Sequence, residues 1–132
     1  MSTNSTITVQ VSSNEFLTVY CHWDGYLDGV GATLKKHYRT LKDVLALVKL
    51  GDVSALYESC DRPEGHTFDT AVKGYTIFYG RDRQEDNVGV ATIDRPSDIG
   101  SQEFNYLFKG GNWFVATGES TSFKLYNTKD ES

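Results

Sequence analysis

Residues 20 to 31 place Tyr20, Cys21, His22, Trp23, Asp24, Tyr26 and Asp28 beside three glycines, Gly25, Gly29 and Gly31. His22 and Asp24 are two positions apart. On a strand both would point to one face, where a carboxylate can orient an imidazole for general acid–base chemistry. The plainer alternative has His22 hydrogen-bonded at a strand end and Asp24 capping the turn at Gly25. Cys21, His22, Asp24, Cys60, His66 and Asp69 are side chains that suit zinc, yet no CxxC or HxxxH spacing is present. Cys21 and His22 are adjacent and would face opposite sides of a strand, which argues against one shared ion. Nucleophilic catalysis has no positive signal, because no serine sits in a nucleophile elbow and Cys21 lies within a strand.

Two further places have the chemistry to hold an anion. Gly29 and Gly31 open a helical pattern whose first-turn N–H groups would be unpaired, a natural anion site. Asp28 as N-cap would compete there, and the stretch matches neither the P-loop nor the dinucleotide fingerprint. Arg81 and Arg83, in Gly80 to Asp86, could clamp an anionic group bidentately, or be neutralised by the neighbouring carboxylates in a solvated loop. His66 and Asp69 sit in a loop where they serve a ligand or only a polar turn.

The elements that must position these groups follow from periodicity. Ile7, Val9 and Val11 alternate with polar residues, and a turn at Ser12 to Glu15 leads to a second strand over Phe16 to Trp23. On that strand Leu17, Val19, Cys21 and Trp23 share one face, and Thr18, Tyr20 and His22 the other. Val30 to Tyr38 has helical spacing. Thr40 and Asp43 form a capping pair before the clearest helix, Leu41 to Leu50, which Gly51 ends. A short helical turn is expected at Val53 to Tyr57, and a long loop over residues 58 to 74. Tyr75 to Tyr79, apolar on both faces, reads as a central strand. A charged loop over Arg81 to Asn87 precedes a weak strand over Val88 to Ile93, and Arg95 to Gly100 is loop or poor helix. Phe104 to Phe108 and Trp113 to Thr117 flank Gly110-Gly111, a hairpin in which Phe108 faces Trp113 and Tyr106 faces Val115. Phe123 to Tyr126 adds an edge strand before a polar tail from about residue 127. The fold class is α+β: one domain over residues 1 to 132, with an antiparallel sheet of about five to seven strands and two main helices on one face.

Bulk properties narrow the function classes. The 132 residues suffice for a real core, and two Trp, eight Tyr and seven Phe favour strands. A net charge of −5 without a basic run disfavours direct nucleic-acid binding. The polar start of the chain lacks the apolar run of an export signal, and no stretch approaches the roughly 18 apolar residues of a membrane span. A cytoplasmic protein with two reduced thiols is the expectation.

The stretch Val19 to Tyr38, with Leu47 to Leu56, Gly65 to Asp69 and Tyr79 to Arg83, resembles a family of short proteins encoded by tailed phages, prophages and some bacteria. The Tyr20-to-Tyr26 block and the following Gly-x-Gly are its most specific part, and Gly110-Gly111-Asn112-Trp113 is similar to its downstream hairpin. Leu27 departs from the proline often found there, which leaves the corner less rigid. The resemblance covers most of the chain and brings no activity, cofactor or catalytic residue with it. It implies a phage-type accessory protein acting inside a bacterial host cell.

Two functions of different class follow. The first is a binding protein that engages a host protein or an anionic, nucleotide-like small molecule, without a cofactor, to modulate host physiology or defence. Its surface would include Tyr20, His22, Trp23, Asp24, Tyr26, Gly29, Gly31, His66, Arg81 and Arg83, with Trp23 and Tyr26 as anchors. The second is a small enzyme acting on a nucleotide or phosphorylated substrate through His22 and Asp24. A phage structural or assembly role is a third, and the sequence leaves the oligomeric state open.

Overall fold

A computed structural model describes residues 2–126. The expected polar tail lies outside them. The first two strands, β1 (Ser5–Ser12) and β2 (Glu15–Cys21), form the expected antiparallel hairpin. The chain then turns through a π-helical segment, Leu27–Gly31, into the short α1 (Ala32–His37). The longer α2 (Leu41–Val48) starts where Thr40 Oγ1 accepts the Asp43 N–H at 3.1 Å and stops before Gly51, at φ 91°.

The remaining elements are β3 (Val53–Ala55), β4 (Ile77–Phe78), α3 (Tyr79–Arg83), β5 (Ala91–Ile93), a 3-10 turn (Pro96–Asp98), β6 (Phe104–Lys109), β7 (Asn112–Thr117) and β8 (Lys124–Leu125). They complete an eight-stranded sheet in the order β4-β3-β2-β1-β6-β7-β8, with β5 on the first half of β2. The β6–β7 register pairs Phe108 with Trp113 and Tyr106 with Val115, as the sequence pattern requires. Val44, Leu47 and Val48 of α2 and Leu34 of α1 pack with Ile7, Val9, Val19, Cys21, Tyr106 and Phe108 to form the core. Trp113 closes it, its indole N–H donating to the Tyr38 carbonyl at 2.8 Å.

Several expectations need correction. The sheet is mixed, because β1 pairs with β6 and β2 with β3 in parallel. Helices α1 and α2 form the crossover that returns the chain beside β2 in the same direction. Val53 to Ala55 is the strand that receives it, so no helical turn forms there. Tyr75 to Tyr79 is not a central strand. Only Ile77 and Phe78 join the sheet, at its edge, while Tyr75 makes a lone bridge to Ser59 and Tyr79 already begins α3. Phe78 is fully buried in the core, while Phe68 and the Arg83 guanidinium stack on Tyr79, so local segments cover faces that neighbouring strands would otherwise cover. The charged stretch from Arg81 is correspondingly helical up to Arg83.

Candidate functional site

The glycine corner is dictated by close packing. β2 ends at Cys21, and Asp24 adopts a left-handed backbone at φ 57°. A Cβ on Gly25 would lie 2.8 Å from Ser5 Cβ, one on Gly29 2.3 Å from the Asp24 carbonyl oxygen, and one on Gly31 2.9 Å from the Tyr106 hydroxyl. No side chain fits at these distances. The Gly29 and Gly31 N–H groups donate to the Tyr26 carbonyl, and the Val30 N–H donates to Asp24 O at 2.7 Å. The helix start therefore has no free N–H groups at these positions, and the anion site expected at Gly29 and Gly31 is not formed. Asp28 makes no capping hydrogen bond either.

Of the two readings of His22 and Asp24, the acid–base pair does not form, and His22 is the hydrogen-bonded residue at the strand end. The same-face rule holds only while the chain is a strand, and Asp24 lies beyond its end. His22 instead pairs backwards, with the Tyr20 hydroxyl 2.7 Å from Nδ1 and the Asn4 side-chain amide donating to the His22 carbonyl at 2.8 Å. Asp24 accepts the Tyr26 hydroxyl at 3.2 Å, and its charge pushes the Tyr26 phenol pKa up. Cys21 is fully buried, and loss of hydration pushes its thiol up to about 12, which rules it out as a thiolate nucleophile near neutral pH. Trp23 leaves the face it would share with Val19 and Cys21 and is 43% exposed, its backbone N–H donating to the Ser54 carbonyl.

His66 and Arg81 belong to a different environment, built around a residue the sequence reading passed over, Asp82. Its side chain is inaccessible and accepts Arg81 Nε at 2.9 Å and the Phe78 N–H at 2.8 Å. Arg81 also donates to the Thr76 and Cys60 carbonyls and lies over the Phe78 ring. His66, 1% exposed, accepts the Val72 N–H on Nδ1 at 2.9 Å, which places its proton on Nε2, 3.2 Å from the Thr76 carbonyl and 3.5 Å from Asp82. Burial opposes ionisation of Asp82, but the Arg81 and Phe78 hydrogen bonds and the Arg81 charge prevail and hold its carboxyl below the ordinary range. The cluster ties the loop after β3 to α3. Neither Arg81 nor His66 is available to a ligand. The signal that could have revealed Asp82 is a carboxylate set between two arginines directly after an apolar run.

What the corner does reach is a groove of about 420 Å³, lined by Trp23, Asp24, Ser54, Ala55, Tyr57, Phe68 and Ile77. Comparison with protein-family models, curated proteins and solved structures yields no match. The site must be read from its own geometry. Trp23 and Tyr57, two of the large apolar side chains left exposed, both line this groove, and the exposed Tyr26 bonds to Asp24 at its side. His22 meets Trp23 edge-on, with ring centroids 4.8 Å apart. Arg83 stacks 4.2 Å above the Phe68 ring and is paired with Glu85. A recess of about 640 Å³ beside β5 is lined by Asn14, Glu15, Thr92, Ile93, Asp94 and Asp98 and offers no aromatic surface.

Of the side chains singled out in the sequence, Trp23 and Asp24 line the groove. His22 abuts it through Trp23, Tyr20 holds His22, and Tyr26 binds Asp24. Arg83 reaches it through Phe68. Tyr57 and Phe68 were missed, since each is a single aromatic in a loop, joined to Trp23 only by the sheet order. Among the described residues no group of three or more His, Cys, Asp or Glu side chains is disposed to hold a metal ion, and Asp69 is exposed in its loop. No helix among them is long and apolar enough to cross a membrane.

Proposed function

We propose that the protein works as a binding module whose contact surface is the groove between the Tyr20-to-Gly31 corner and the β3–β4 edge. The observation that carries this reading is that Trp23 and Tyr57, both exposed, line one groove, with the exposed Tyr26 bonded to Asp24 of the same lining. Exposed Trp and Tyr beside a recess are the side chains that dominate protein interfaces, because they present large, rigid contact area. The occupant that fits is another protein, which inserts a side chain into the groove and covers the rim. The resemblance of the Val19-to-Tyr38 stretch to phage-encoded proteins supports a host protein as that partner and the interior of a bacterial cell as the place.

The nucleotide-capture version has less support, because the helix-start N–H groups and Arg81 are engaged internally. The enzymatic reading through His22 and Asp24 lacks its hydrogen bond. Affinity capture with the full chain tests the proposal. One stoichiometric partner should be retained by the parent protein and by Leu41→Ala, a change at an exposed apolar residue on α2. Trp23→Ala with Tyr57→Ala should lose it, with a cost of about 2 kcal/mol or more in affinity. Undiminished capture by the double variant would place the contact surface elsewhere.

A further inference from the structure

The chemistry of the groove specifies what it accepts. Its lining residues include three aromatic side chains, Ser54 and one charged residue, Asp24. Asp24 is exposed and has no ion-pair partner among the described residues. Elsewhere the chain covers aromatic faces with its own cations. Lys35 lies over Tyr126, Arg81 over Phe78, Arg83 over Phe68 and Tyr79, and Lys109 over Phe114. Trp23 and Tyr57, each 43% exposed, have no such cation among the described residues. Two open rings beside a carboxylate without an ion-pair partner suit a positive charge, since the negative faces of the rings and the carboxylate attract it together. The net charge of −5 adds a long-range attraction of the same sign.

From this composition we infer that the groove receives a basic side chain, lysine or arginine, presented by the protein partner. The inference rests on the binding reading above and reverses the anionic ligand expected from the sequence. The cation sits against Trp23, Tyr57 and Asp24 and not on the face of Phe68 that Arg83 covers. The aliphatic stem of the basic side chain packs along Ala55 and Ile77, which line the same groove.

The test is a titration followed by the indole N–H resonances, one for each of the two tryptophans. Trp23 reports on the groove, and Trp113, buried and bonded to Tyr38, reports on the fold. The probes are a short capped peptide with one lysine between leucines and its arginine, Nε-acetyl-lysine and glutamate analogues, together with butylammonium. The lysine and arginine peptides should shift the Trp23 resonance saturably. The acetylated and glutamate peptides should bind at least about fivefold more weakly, as should the lysine peptide on Asp24→Asn. Equal or tighter binding of the acetylated or glutamate peptide overturns the cationic assignment while leaving a binding groove in place. Butylammonium binding as tightly as the lysine peptide overturns the protein source in favour of a free amine. No response to any probe overturns the inference outright. The binding reading itself fails separately, through undiminished capture of the partner by the Trp23→Ala, Tyr57→Ala protein.

Discussion

The Tyr20-to-Gly31 corner and the His66–Arg81–Asp82 cluster contain similar chemistry and use it in opposite ways. Each has a histidine, a carboxylate and aromatic rings. In the cluster these groups are buried and satisfy one another, with Asp82 accepting from Arg81 and Phe78 and His66 bonded through both ring nitrogens. In the corner the backbone is satisfied internally, but the Trp23 ring and the Asp24 carboxylate face solvent. Reactive side-chain types alone therefore do not identify a site. What distinguishes the two regions is where each group's hydrogen bonds and charge are compensated, and only the corner leaves apolar area and charge for another molecule.

The contrast can be broken most forcefully in the cluster. Asp82→Ala leaves the Arg81 guanidinium and the Phe78 N–H without their buried acceptor. It should destabilise the fold by about 3 kcal/mol, read as a lowered midpoint in urea unfolding. Gly29→Ala pushes a methyl group against the Asp24 carbonyl and should cost about 2 kcal/mol in the same assay, showing that the corner's backbone is as constrained as the cluster. The two histidines sharpen the comparison. His66→Ala removes a buried, doubly bonded ring and should cost about 2 kcal/mol. His22→Ala, at a half-exposed ring, should cost no more than about 1 kcal/mol.

Acid titration probes the cluster directly. The Asp82 carboxyl is held below its ordinary value in the folded state. Its stabilising contribution is therefore complete above the ordinary carboxylate range, near ~4, and is lost as pH falls through the folded value. Asp82→Asn should flatten this acid limb of stability against pH. The smallest expected effect is that of Trp23→Ala on stability, within about 0.5 kcal/mol, because the ring is 43% exposed.

Much of the frame was legible in the sequence because it is local. The Thr40 cap, the helix from Leu41 and the Phe108–Trp113 register each depend on residues a few positions apart. The three-residue β3 was not, since its pairing with β2 arises from a crossover through two helices and leaves no periodic pattern. Tyr75 to Tyr79 misled for a related reason. Its apolar character reflects burial against local segments, a pattern indistinguishable from a strand covered on both faces. For the site, the cluster of types in Tyr20 to Gly31 lies at the corner beside the groove, but its alternation ended at Cys21, so of the two readings of His22 and Asp24 the same-face pair does not form. Tyr57 and Phe68 joined the groove only through the order of strands.

The most direct test of the account is the affinity of the captured partner for folded Trp23→Ala and folded Asp82→Asn protein, measured side by side. The account predicts that Trp23→Ala loses about 2 kcal/mol or more of binding with its fold intact, while Asp82→Asn, once folded, binds as the parent does. Equal affinity for Trp23→Ala and the parent, or a loss confined to Asp82→Asn, would contradict it.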